Sequence, residues 1–157
     1  MLGGRDGEAR RTHPEGHRFP IHHATFRRIT DDGQGQPGWE FDICTQPPLV
    51  EPADETERFM FCNGVRFYAE GDPIPLPDAE DFTGVEVYIE EPSHPESGEV
   101  YFTLYVYEHE DVSHVRLRFL ERRESRYRIQ VSALAHNLFK EPAELSFETW
   151  IEQQPSG

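Results

Sequence analysis

The amino-acid sequence predicts an all-β protein, an antiparallel β-sandwich of about seven to nine strands with a C-terminal meander. Three observations predict it. Apolar and polar residues alternate at period two through most of the second half, the pattern of strands with one buried face. The intervening stretches, such as "EPSHPESG", are built from residue types that turn a chain. No interior stretch holds a sustained 3.6-residue apolar period, so long helices are not expected. Two packed sheets would bury one face of each strand. A partly open β-barrel is the alternative architecture that does the same.

The elements follow in chain order. Residues 1–18 read as a flexible basic arm with no apolar signal-peptide core. Residues 19–152 form a single domain, since 157 residues suit one hydrophobic core, and 153–157 are a short tail. "RFPIHHATFRRI" predicts a strand over 19–29, ended by the loop chemistry of "TDDGQGQPG". Trp39, Phe41 and Ile43 alternate with acids and predict a strand over 39–44. "EPADETERF" suits a helical turn or two, with Pro52 near its start and acids in the first turn. Phe59, Phe61, Val65 and Phe67 share one parity, so 59–68 reads as one strand bulged at Gly64. The Asn63-Gly64 pair is also a two-residue hairpin signal, which leaves that alternative open.

The meander follows. Val85, Val87 and Ile89 face inward on 84–90. On 100–107 the inward set is Val100, Phe102, Leu104 and Val106, with Tyr101, Tyr105 and Tyr107 outward. Val115, Leu117 and Phe119 alternate with His114, Arg116 and Arg118 on 113–120. Tyr127, Ile129, Val131 and Ala133 are inward on 126–133. Leu145, Phe147 and Ile151 are inward on 145–151, with Trp150 outward. Eleven Phe, six Tyr and two Trp supply the core with large apolar pieces.

Charge narrows the function classes. The formal net charge is −15, and it is unevenly placed. Residues 31–99 hold eighteen acids against Arg58 and Arg66, whereas 116–128 hold six Arg against Glu121 and Glu124. An acidic body argues against nucleic-acid binding, which needs a basic face. The longest apolar run, "YFTLYVY", is far short of the roughly 20 residues of a spanning helix. No membrane partner and a cytoplasmic location are therefore expected. Cys44 and Cys62 lie on separate predicted strands and read as reduced, buried thiols.

The most chemical stretch is "YVYEHEDVSHVRLRF". A zinc-protease helix places two His at i and i+4 on one face, but His109 and His114 are five apart in alternating sequence. Pairing Val106 with Ser113 makes "EHED" a hairpin loop, with His109 at its tip. The cluster His13, His17, His22 and His23 has enough imidazoles for a metal, yet His22 and His23 point to opposite faces of a strand. The acids Asp31 and Asp32, and Asp72, Asp78, Glu80 and Asp81, lack the spacing of a calcium loop. No metal, no other cofactor and no catalytic residue are therefore assigned.

The candidate binding residues lie on the outer face of the meander: Tyr101, Tyr105, Tyr107, Arg116, Arg118, Arg128 and Trp150. Cross-strand Glu–Tyr–Arg pairs stabilise an ordinary solvated sheet, yet Tyr, Trp and Arg are also the residues enriched at interface hot spots. The expected function is a non-catalytic, protein-binding β-sandwich, an acidic neutralising or accessory protein for a basic partner. The alternatives are a small-molecule or carbohydrate-binding module and an enzyme using loop His and carboxylates. Self-association into a homo-oligomer is a further expectation about partners.

Overall fold

The computed structural model of the chain describes residues 8–9, 19–29, 38–47, 51, 53–62, 64–72, 74–106, 108–138 and 141–156. Their strands are β1 (Glu8–Ala9), β2 (Phe19–Ile29), β3 (Gly38–Thr45), β4 (Arg66–Asp72), β5 (Glu86–Ile89), β6 (Thr103–Val106), β7 (Glu108–Arg123), β8 (Arg126–Leu138) and β9 (Glu141–Gln153). One helix, α1 (Glu55–Met60), precedes β4. The all-β expectation holds. The arm at 1–18 lies outside the described residues except for β1, which pairs antiparallel with the start of β2.

The expected sandwich does not form; the barrel alternative fits, and the barrel is closed. Strands run in the order β2-β3-β4-β6-β7-β8-β9, and β9 returns to β2 through the parallel pairs Thr25–Glu152 and Phe26–Gln153. The physical reason lies in strand length and bulges. β7, β8 and β9 span 16, 13 and 13 residues, long enough to coil around a core. Register slips at Ser113/Arg116, Phe119/Glu121 and Ala135/Leu138 add the local twist and bend that bulges produce. A sheet that coils far enough meets its own first strand and loses its edges.

Two pairings differ from a simple meander. β5 pairs with β7, not β6, through Glu86–Arg118, Val87–Leu117, Tyr88–Arg116 and Ile89–Val115. β6 and β5 thus occupy successive lengths of the same β7 edge, with β6 also bonded to β4. The segment "EHED" is strand, not loop. Leu104 pairs with Glu110 and Val106 with Glu108, so all four residues of the segment lie in the β6–β7 ladder. The period-two pattern gave the inward faces of β5 to β9 but not their register, because hairpin register follows from turn geometry.

The strand expected over 59–68 is also corrected. Residues 55–60 are helical, with the Arg58 N–H on the Asp54 carbonyl, and Phe59 is 56% exposed while Phe61 is buried. Gly64 then takes φ 77°, neither a hairpin turn nor a bulge in a continuous strand, and donates to the Phe61 carbonyl. β4 begins only at Arg66.

The core lies inside the barrel. Phe26 stacks on Phe41 at 5.4 Å and Phe67 on Phe102 at 4.8 Å, while Phe119 meets Tyr127 edge-on at 5.5 Å. Tyr127 is fully buried, and its hydroxyl accepts from the Phe82 N–H at 3.2 Å. The segment after β4 contributes Ile74, Leu76 and Phe82 to the same core. A cavity of about 10 Å³ between Ile43, Phe67, Leu104 and Phe147 has room for about one water. Cys44 is half-buried but Cys62 is exposed, and both are free thiols, which corrects the expectation of two buried ones.

Candidate functional site

Each inward residue of β7–β9 turns its neighbour outward, so the exterior is a ladder of cross-strand rows. One row reads Glu86, Arg118, Gln130 and Glu148 across β5, β7, β8 and β9. Arg118 reaches Glu86 at 3.1 Å and the Gln130 side-chain oxygen at 3.1 Å. Arg128 holds Glu121 at 2.7 Å and Glu148 at 2.6 Å. Two of the expected binding arginines are thereby occupied within the fold.

Trp150 is outward by parity, as expected, but is only 7% exposed. Arg123 and Arg126 stand 4.7 and 5.3 Å from its ring centroid and cover it, as guanidinium planes do over aromatic faces. Tyr101 does not stand on the outer face. It is half-buried, packs against the core and meets the His94 ring at 6.0 Å. Tyr105 is exposed and stacks edgewise on His109 at 4.9 Å. Tyr107 lies outside the described residues. A closed barrel curves these positions around its wall, so they do not share the flat face that a sandwich would present.

Arg116 is the exception among the expected arginines. It is exposed and lies over Tyr88 at 5.1 Å, with no carboxylate partner among the described residues. Its row continues from Tyr88 through Arg116 to Ser132 and Ser146. There the barrel exterior opens into a groove of about 340 Å³ lined by His114, Ser132, Ala133, Leu134, Glu144, Leu145 and Ser146.

A bulge makes the groove wall. Between Ser113 and Arg116, β7 spends one residue more than β8, and His114 absorbs it at φ 51°, a left-handed conformation uncommon outside glycine. Its N–H donates to the Glu90 carbonyl at 2.9 Å, beyond the end of β5. The Ser113 hydroxyl is 2.8 Å from His114 Nδ1 and 2.6 Å from His136 Nε2. Ser113 is 2% exposed, so one buried hydroxyl fixes two surface imidazoles. With Nδ1 engaged, Nε2 is the His114 nitrogen free to meet a ligand.

The His–Ser–His cluster was only partly visible in the sequence. His114 stood out, but Ser113 and His136 are 23 residues apart, and a bulge on one strand brings them together. Two of the loop acids form ion pairs: Asp78 meets Arg28 at 2.7 Å and Asp81 meets Arg122 at 3.9 Å. His22 bonds Gln46 at 2.9 Å, and His23 lies 3.8 Å from Asp42. His13, His17, Asp31 and Asp32 lie outside the described residues. Among those described, no three His, Cys, Asp or Glu side chains are grouped to hold a metal ion, and no helix is long and apolar enough to cross a membrane.

Elsewhere, Asp42 joins three groups, accepting from Arg66 at 2.8 Å and from the Cys44 thiol at 3.3 Å beside His23. Burial, reinforced by the Asp42 carboxylate, pushes the Cys44 thiol up to about 11, which makes it a poor nucleophile. No family, characterised protein or solved structure matches the chain.

Proposed function

We propose that the chain is a non-catalytic binding domain that recognises another protein through the outer wall of β5, β7, β8 and β9, centred on Tyr88, Arg116 and the groove. One observation carries this reading. Arg118 and Arg128 are consumed by carboxylates of the fold, while Arg116 has no carboxylate partner among the described residues and lies over the exposed Tyr88. An exposed Arg and Tyr beside a pocket are the composition of interface anchors. Among the described residues the inward side chains pack into one core cluster, which favours the exterior for binding. The buried Ser113 hydroxyl, closed off from substrate, disfavours hydrolytic use of the His cluster.

The test is capture from an extract of the native organism, with the bound proteins quantified by mass spectrometry. A partner retained by the wild type should be lost with Tyr88→Ala/Arg116→Ala, weakened by about 2 kcal/mol or more. It should be kept by Arg27→Ala on β2. Equal capture by both variants would refute the reading.

A further inference from the structure

The lining of the groove identifies what enters it. Glu144 is exposed on the groove wall and has no ion pair or side-chain hydrogen bond among the described residues. Glu86, Glu121 and Glu148 on the same wall each face an arginine, so among the described residues Glu144 is a carboxylate of this wall left without a cation. Ser132 and Ser146 face each other across β8 and β9, and their hydroxyls likewise have no partner among the described residues. His114 adds an imidazole held through Nδ1 by Ser113. Leu134, directly opposite Glu144, supplies apolar surface.

The groove therefore presents a carboxylate, two hydroxyls and a ring nitrogen beside one aliphatic side chain. Its complement is an arginine: a planar fork of five donors on an apolar stem. The fork can reach the carboxylate in bidentate fashion and still offer N–H groups to the hydroxyls. A lysine ammonium, a compact point charge, would satisfy the carboxylate and leave more of the wall unused. The net charge of −15 favours a basic protein as the partner, and Glu144 is the acid of the groove that would meet it. Resting on the protein-binding reading, we propose that the groove receives an arginine side chain of a basic partner protein, ion-paired to Glu144.

The probe is a capped peptide, Gly-Gly-Arg-Gly-Gly, titrated into the ¹⁵N-labelled full chain and followed by NMR. The amide signals of Leu134, Glu144, Leu145 and Ser146 should shift. The peptide with citrulline, which keeps the shape and loses the charge, should bind about tenfold more weakly or worse, the scale of a charge-assisted hydrogen bond. Glu144→Gln should abolish the preference for arginine over citrulline. Because Glu144 is exposed, that variant should keep the wild-type spectrum away from the groove. Equal binding of the two peptides, or an undiminished preference in Glu144→Gln, overturns the proposal. So does an arginine peptide that leaves the groove signals unmoved, whatever the capture experiment gives, because capture reads Tyr88 and Arg116 with Glu144 unchanged.

Discussion

Leu104 lies on β6 beside the small cavity and is 2% exposed. Leu104→Ala would enlarge a void that its neighbours cannot close, so chemical denaturation should register a loss of about 2–5 kcal/mol. Glu110, its cross-strand partner, behaves differently. Burial, then the charges of Glu108 and Asp111, hold its carboxyl above the ordinary glutamate range. A raised carboxyl means that the folded chain binds this proton more tightly than the unfolded chain does. Its contribution is therefore lost as pH rises from the ordinary glutamate value through the raised one. Glu110→Gln should be more stable than the wild type at neutral pH, and the difference should vanish in acid; a constant difference across that window would contradict this. The thiols separate by the same physics. Cys44, pushed up to about 11, should alkylate with iodoacetamide at mildly alkaline pH much more slowly than exposed Cys62, as read by peptide mass spectrometry.

At the scale of elements, side-chain parity was legible and register was not. Phe102, Leu104, Val106, Leu117, Phe119, Ile129 and Val131 are all buried, as alternation requires, because a strand's two faces are written in adjacent residues. The hairpin end was misplaced because "EHED" resembles a loop in composition, while its pairing partners lie on β6. The bulge at His114 was invisible for a related reason: it is a mismatch between two strands, and neither strand records it alone. Helix α1 won over an alternating aromatic run because Gly64 turns the chain sharply against β3. A β-carbon at Gly64 would stand 2.2 Å from the Thr45 carbonyl oxygen, whereas at Gly98 it would meet nothing. Both glycines have positive φ. Gly98→Ala should thus cost about 1–2 kcal/mol, the penalty of a left-handed residue. Gly64→Ala should cost at least about 3 kcal/mol, since backbone must also move. Equal thermal shifts for the two would remove the argument that Gly64 is fixed by close approach.

For the whole molecule, closure is the feature that no local pattern announces. A strand that pairs with its sequence neighbour and one that pairs across the entire chain look alike in composition. β9 could not be read as the partner of β2, and two layers appeared where there is one coiled sheet. The seam is narrow. It consists of the pairs Thr25–Glu152 and Phe26–Gln153, extended by the Gln154 N–H on the Phe26 carbonyl at 2.8 Å. The wall from β7 to β9 is held by long antiparallel ladders instead. Joining residues near 26 and 153 also closes a very long loop, whose entropy must be lost before the contact returns anything. The seam should therefore form last. Ending the chain after Ile151 removes Glu152, Gln153 and Gln154 while sparing Ile151 in the core. At about 1 kcal/mol for each backbone hydrogen bond lost, the truncated chain should be destabilised by a few kcal/mol and remain folded. If the seam is absent from the transition state, the loss appears almost wholly as faster unfolding, with the refolding rate unchanged. Stopped-flow refolding and unfolding of the two chains measure both rates. Hydrogen exchange should then quicken along β2 while β8 stays protected. Slower refolding of the truncated chain would mean instead that closure of the barrel directs its folding from the start.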